Sequence, residues 1–364
     1  MSELVRAALA AVVDGRSLSL DEARDAMASV MDGEATPAQL AALLVALRMR
    51  GETTDELAGF AEAMRDRVVR VHAPAGTIDL VGTGGDGSGT FNISTTAALV
   101  VAAAGVPVAK HGNRAITSRS GSADVLDALG IRIDHDAASA GEALRRDGFA
   151  FLFAPSFHPA MRHAGPTRRE IGVRTSFNLL GPLTNPAGAT RQVLGVADAA
   201  VALRLADVAR RLGTERTLVV YGARMDELPL DGTGVILDVT PEGIDRRTVD
   251  AAGLAALGLA TAGNEALAGG TPDENAVLVE AVLNGAGGAH RDVVLLNAAA
   301  AFMAAGRVAD LAAGLAVGAS AIDGGQAAAL LARLRADRAI VDAAKAAADA
   351  AAADTAAVDS AAAR

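Results

Sequence analysis

From residue 77 onward, short apolar runs alternate with longer segments of helical periodicity, and this rhythm constrains the fold more than any other feature of the chain. The runs fall at 78–81, 107–109, 131–133, 150–154, 193–196, 217–220 and 235–239, each long enough for one strand. Helical stretches such as 199–212 lie between most of them. Strands separated by helices cannot pair as tight hairpins, so the pattern predicts an α/β fold with a mainly parallel sheet covered on both faces. Residues 1–70 read differently. Apolar positions recur at helical spacing over 4–13, 20–31, 38–47 and 57–64, with capping signals at Ser19 with Glu22, at Thr36 before Pro37, and at Thr54. A small all-helical N-terminal domain over 1–70 is therefore expected ahead of a larger domain over 71–345. Residues 272–340 read as helical throughout, opened by a structural capping box at Thr271–Glu274. The Ala/Asp-rich stretch from 346 to 364 reads as helix fraying into a disordered tail.

With 364 residues, 51% of them hydrophobic, the chain can bury one large core or two smaller ones. A formal net charge of −10 argues against general electrostatic binding of nucleic acid, though not against a local basic pocket. Aromatic residues make up only 2%, so no broad stacking surface for single strands is available. There is no cysteine, which excludes disulfides and thiolate metal sites and fits a cytoplasmic protein. The N-terminus carries Glu3 in only a short Ala-rich run, so no signal peptide is expected. The longest apolar run, 97–109, is broken by Gly105 and Pro107 and reads as core rather than a membrane span.

Four polar segments carry the chemistry. In GTGGDGSGTFNIST, a glycine loop between a strand and a helix N-terminus suits a phosphorylated ligand, because its backbone N–H groups approach oxygen closely and the helix start adds donors and positive potential. The loop is neither a Walker A motif nor a dinucleotide fingerprint. Asp86 within it suits a metal or a ribose hydroxyl, and Asn92, Ser94, Thr95 and Thr96 offer donors at the helix mouth, where Ser94 and Thr95 are equally suited to N-capping. Next, KHGNRAITSRSGSAD places Lys110, His111, Asn113, Arg114 and Arg119 among hydroxyl residues at the C-terminal end of a strand, the edge at which open parallel sheets bind ligands. Then HPAMRHAGPTRREIGVRT is basic in an acidic protein. Arg168 and Arg169 cannot both face inward on a helix; one could clamp a carboxylate, although a solvated helix face is the commoner fate of such a segment. Finally, Asp226–Glu227 after a strand would suit Mg²⁺ if phosphate sites are nearby. His72, His135 and His290 have no metal-ligand spacing.

These segments, together with SGSADVL, FNLLGPLTNP, GGTPDENA and LLNAA, closely resemble the anthranilate phosphoribosyltransferase family of tryptophan biosynthesis, in the family's order and over roughly residues 1–340. The resemblance implies a helical domain that takes in a later insertion at about 159–190, and homodimers pairing through that domain. It implies Mg²⁺-dependent transfer of the phosphoribosyl group of 5-phosphoribosyl 1-pyrophosphate (PRPP) to the amine of anthranilate. By the same resemblance PRPP would be held by Gly82, Gly85, Asp86, Thr90, Asn92, Ile93, Ser94, Thr95, by Lys110, His111, Gly112, Asn113, Arg114, Ala115, Ile116, Thr117 and Ser118, and by Ser122. Gly82, Asn113 and Arg168 would contact anthranilate; Ser94, Asp226 and Glu227 would bind two Mg²⁺ ions per monomer, Glu227 shared between them. No dedicated nucleophile or base is implied. Departures are mild: Thr117–Ser118 stands where two serines are usual, Ser176 replaces an apolar residue and puts local packing in question, and 240–262 matches poorly. Two other readings compete. A pyrimidine nucleoside phosphorylase shares the GTGGD loop, and a non-catalytic relative binding nucleic acid would show a basic face and a degraded metal site.

Overall fold

The computed structural model describes residues 1–115 and 118–362, with side chains described to residue 348. Seven strands form one sheet: β1 (Ile78–Gly82), β2 (Val108–Gly112), β3 (Phe149–Phe153), β4 (Arg191–Gly195), β5 (Arg216–Tyr221), β6 (Gly234–Thr240) and β7 (Gly243–Val249). Their order is β3-β2-β1-β4-β5-β6-β7. The first five run parallel, with registers such as Leu80 opposite Val193 and Val193 opposite Leu218. β6 and β7 are antiparallel additions at one edge.

Four helices precede the sheet: α1 (Glu3–Val13), α2 (Leu20–Met31), α3 (Pro37–Arg50) and α4 (Thr54–Arg65). Ser19 with Glu22 and Thr36 with Gln39 form reciprocal capping boxes; the third cap is Thr53 with Glu56, one residue before the expected Thr54. Strand alternation sorts the apolar side chains between two layers. Val193, Leu218, Val220 and Ile236 face a core shared with the helix α5 (Ile93–Ala103), with α6 (Ser122–Ala128) and with the helices spanning Pro272–Leu283, Ala289–Ala304 and Leu311–Asp323. Leu194, Val219, Val235 and Leu237 face the opposite core, built with α1–α4, the Ala199–Arg211 helix, and Ala164, Phe177, Leu180 and Leu183 of the later helical segment.

Three expectations need correction. Residues 131–133 form no strand; Ile131 and Ile133 are buried, but the segment links α6 to the Ala137–Asp147 helix without a strand partner. β7 went unpredicted because its burial pattern is almost wholly exposed, with Asp245, Arg246, Arg247 and Thr248 on the surface; an edge strand carrying charges discourages further pairing but gives no apolar alternation. The helices of 272–340 are interrupted at 284–288, 305–310 and 324–325, and the last helix continues from Gln326 through Ala362, where a disordered end was expected. Among the described residues no single helix is long and apolar enough to cross a membrane.

Candidate active site

β1 pairs with β2 on one side and β4 on the other, so the chain leaves β1 in one direction and later returns in the other. Open sheets bind ligands at such a switch point, outside the carboxyl ends of the strands. Here a cleft of about 660 Å³ opens at that place, walled by the loops after β1, β2 and β5.

The strand ends explain why the loops can meet. Thr83 N–H donates to Gly195 O at 2.9 Å, joining the ends of β1 and β4. A Cβ on Gly82 would overlap the Asp226 carboxylate, and one on Gly195 would overlap the Asp226 carbonyl. The carboxylate pair thus lies directly on the ends of two strands. It is delivered by a tight turn in which Met225 N–H donates to Gly222 O at 2.7 Å. Ala223 and Arg224 both adopt left-handed backbone there, with φ of 49° and 60°, a strained choice for side chains other than glycine. Downstream, the buried Asn297 exchanges hydrogen bonds with Leu228 N–H (2.9 Å) and Leu228 O (3.0 Å), pinning the segment from below.

The two acids already occupy the anion-seeking donors. Gly84 N–H donates to Asp226 Oδ2 at 2.7 Å, and Ser94 N–H, in the first turn of α5, donates to Glu227 Oε1 at 2.9 Å. The start of α5 has no side-chain cap of its own, so Ser94 and Thr95 do not serve as its N-cap. Burial, then Asp86 beside it, raises the Asp226 pKa; burial, then Asp226, raises that of Glu227. Crowded, desolvated carboxylates of this kind are hard oxygen ligands short of positive charge, which fits a divalent cation. Among the described residues no group of three or more His, Cys, Asp or Glu side chains could hold an ion unaided, so an ion here would complete its shell with water or ligand oxygens.

Beneath the pair lies Lys110, buried, with Nζ donating to Leu80 O at 2.5 Å and to Ser94 Oγ at 3.4 Å. Burial lowers its pKa, while Asp79, Glu227 and Asp226 favour the charged form. Asp79, on β1 and fully buried, accepts from Asn185 Nδ2 (2.7 Å) and from His111 N–H (3.2 Å); burial pushes its carboxyl up to about 6 against the pull of Lys110. The second loop is held by α6. Asp124 accepts from Ala115 and Gly121 N–H and pairs with Arg114, and Ser122 Oγ donates to Asn113 O. Asn92 stitches the two loops together, donating to Ser120 O and accepting from Ser120 Oγ and from Asn275 Nδ2 at 2.9 Å.

The descriptions "Glycosyl transferase family, helical bundle domain" and "Glycosyl transferase family, a/b domain" match residues 6–68 and 75–328. The chain is similar to an anthranilate phosphoribosyltransferase of Roseiflexus sp., 52% identical over 332 residues, covering 91% of this chain and 97% of that one. One of Pelotomaculum thermopropionicum is 50% identical over 333 residues, covering 91% and 96%. Among solved structures, the anthranilate phosphoribosyltransferase of Thermus thermophilus superposes with a TM-score of 0.85 at 46% identity, covering 91% of this chain and 99% of that one. That of Saccharomyces cerevisiae, in complex with PRPP and Mg, gives 0.84 at 26% identity, covering 93% and 99%. The chain belongs to the anthranilate phosphoribosyltransferase family.

The cleft of this family member brings together Gly82, Gly85, Asp86, Thr90, Asn92, Ile93, Ser94 and Thr95 with Lys110, His111, Gly112, Asn113, Arg114, Ala115, Ser118, Ser122, Asp226 and Glu227. Ile116 and Thr117 lie outside the described residues. Arg168 does not line the cleft: its guanidinium sits 4.9 Å above the Phe177 ring, and burial lowers its pKa. Arg169 is exposed, in keeping with only one of the two facing inward. Ser176, the polar replacement, is buried and donates to Glu52 Oε1 of the helical bundle at 2.9 Å, which accounts for a hydroxyl in that packing.

Several cleft residues were not foreseen. Asn275 and Gly270 follow from GGTPDEN, in which the capping box was the dominant signal; the same segment also walls the cleft, with Gly270 N–H donating to Asn275 Oδ1 at 2.6 Å. Arg174 reaches from the later helical segment to Thr83 O at 3.3 Å and to Gly84 O, latching the glycine loop. Behind the foreseen His111 lies His158, outside the cleft lining, their rings tilted and 5.1 Å apart, each with a buried Nε2 lacking a partner among the described residues. Burial and His158 hold His111 down to about 3, and burial holds His158 down to about 4, so both imidazoles are neutral.

Proposed function

We propose that this chain transfers the 5-phosphoribosyl group of PRPP to the amine of anthranilate at the cleft between β1 and β4, giving N-(5-phosphoribosyl)anthranilate and pyrophosphate in a Mg²⁺-dependent reaction. The observation that carries the reading is the meeting of the glycine loop, the α5 N-terminus and the Asp226–Glu227 pair on one buried lysine. Lys110 and the remaining N–H groups of the glycine loop supply positive potential to phosphate oxygens, and Asn92, Asn113 and the hydroxyls of Thr90, Ser118 and Ser122 supply orienting hydrogen bonds. Mg²⁺ held by Asp226, Glu227 and Ser94 would supply positive charge to offset that of the departing pyrophosphate. Two ions, with Glu227 shared and Ser94 on one, are part of this proposal, as is the assignment of PRPP to the cleft-lining residues.

Scission sends the electron pair of the C1–O bond to the departing pyrophosphate, leaving an oxocarbenium-like ribose. The aniline nitrogen, neutral at pH 7, donates its lone pair to C1 and releases one proton to solvent water. The protein's task is then positioning and charge complementarity, with no side-chain nucleophile and no covalent intermediate. Arg168 clamps the anthranilate carboxylate by a paired hydrogen bond after leaving Phe177, and Asn113 and Gly82 complete the acceptor contact.

Residues 1–70 with the segment 159–190 act as one helical domain in this reading, supported by the shared apolar cluster of α1–α4 with Ala164, Phe177, Leu180 and Leu183. Homodimers pair through it; Ala38, Ala42, Val45 and Met49 form an exposed apolar stripe along α3, and Leu4 and Val13 are exposed on neighbouring α1. A cytoplasmic location, fitting the cysteine-free composition, belongs to the same proposal. The test is an assay following anthranilate fluorescence with anthranilate, PRPP and Mg²⁺, each omitted in turn. Turnover only with all three supports the reading. Turnover of thymidine or uridine with phosphate, and none with PRPP, overturns it.

A further inference from the structure

A second cavity, of about 220 Å³, lies at the opposite end of the strands from the cleft and shares no lining residue with it. Its walls come from the end of α4 and the chain after it (Arg65, Val68, Arg70), from Pro182–Thr190 ahead of β4, and from Ala209–Thr214 ahead of β5. It therefore sits where three separate stretches of chain meet.

Two arginines, Arg65 and Arg70, line it. Arg65 donates through Nε to Leu183 O at 2.7 Å and through Nη1 to Leu212 O at 3.3 Å. These carbonyls take two of its five N–H groups and offer partial charges only. Among the described residues, no carboxylate pairs with Arg65 or Arg70 within 4.0 Å. Burial lowers the Arg65 pKa; the more distant Glu62 carboxylate favours the charged form, and the charge on Arg70 offsets part of that help. The other acid nearby, Glu215, is committed to Thr190 Oγ1 at 2.7 Å and to Arg191 at 2.9 Å. A desolvated cation facing a second cation is unfavourable unless an anion joins them.

The rest of the wall narrows the chemistry. Val68, Pro182, Ala209 and Leu212 are apolar, and the buried Gln192 carboxamide adds a polar group beside them. Asn185, Thr190 and Thr214 complete the polar side. A phosphate, having no hydrocarbon body, would leave the apolar side unfilled. A carboxylate needs one bidentate partner and can bury its body against the apolar side.

We infer that this cavity is a binding site for a small organic monocarboxylate with a compact apolar body, gripped between Arg65 and Arg70. Because the ligand would bridge α4 to the chain entering β4 and β5, its binding ties the helical bundle to the sheet. The inference is independent of the reaction assigned to the cleft.

The test uses the full chain with PRPP and Mg²⁺ present, titrated calorimetrically with cyclohexanecarboxylate and, separately, with the neutral cyclohexanecarboxamide. Saturable binding of the acid and none of the amide is expected. Arg70→Gln, an exposed position whose change leaves the fold intact, should weaken the acid by about tenfold or more and leave turnover of anthranilate in the absence of added cyclohexanecarboxylate unchanged. Absence of saturable binding, an equal response to the amide, or undiminished binding in Arg70→Gln (the mark of a carboxylate lodged in the cleft instead) overturns the proposal.

Discussion

The residues proposed for the phosphoribosyl donor and for the acceptor are held by different means. On the donor side, every group rests on a strand end or the first turn of a helix: Gly82 closes β1, Lys110 lies on β2, Ser94 opens α5, and Asp226 packs against Gly82 and Gly195. Backbone hydrogen bonds and a buried Asp79–Asn185 contact fix them before any ligand arrives. On the acceptor side, Arg168 sits on the short helix Gly165–Ile171, stacked on Phe177 and outside the cleft. A sheet edge preorganises charge; a short helix at the seam leaves an arginine free to be recruited. The donor side is thus expected to tolerate little change, and the acceptor side to respond in affinity for one substrate alone.

The sharpest way to break this contrast is Glu227→Gln. It keeps the shape but removes the charge and unbalances the α5 contact, and activity at saturating Mg²⁺ is expected to fall by roughly 10²-fold or more, read from kcat with fold checked by circular dichroism. Retention of full activity would remove the carboxylate pair from the mechanism.

His158 probes the junction of the two sides. Its folded pKa of about 4 lies below the ordinary 6.5, so it contributes stability that is complete above pH 6.5 and lost as pH falls through 4. That difference corresponds to roughly 3 kcal/mol across the window. Unfolding by urea at pH 7 and pH 4.5 should show wild type losing more stability than His158→Gln; equal losses would mean the imidazole is protonated freely in the folded protein.

Arg168→Ala should raise the apparent KM for anthranilate about 10- to 100-fold while leaving the affinity for PRPP unchanged, the asymmetry that distinguishes the two sides. A parallel loss of PRPP affinity would show the sides to be one unit. The smallest effect concerns the turn that delivers the acids. Arg224→Gly relieves a left-handed side-chain position and should stabilise the protein by about 1 kcal/mol in urea unfolding; a loss of stability would mean the arginine side chain compensates for the strain.

Much of this architecture was legible without coordinates. Alternating runs announce a parallel sheet because each buried strand must be apolar and each crossover needs a helix, and GTGGD before NIST announces a loop-to-helix anion site because only glycine permits such close backbone approach. Capping boxes at Ser19, Thr36 and Thr271 are local reciprocal bonds and read directly. What escaped is what depends on distant partners. β7 is charged on its exposed edge and shows no alternation; 131–133 is apolar because it is buried, not because it is paired. Asn275 looks like a first-turn detail of a capped helix until Asn92, 183 positions away, receives its amide. Glu227 caps α5 across 133 positions. The chain by itself determined which segments become strands, helices and glycine loops, since those follow from backbone sterics and the period of apolar residues. Only the tertiary structure decided that Glu227 stands in for a helix cap, that Arg168 rests on Phe177, and that two arginines line one cavity, because electrostatic neighbours are set by the packing of segments far apart in the chain.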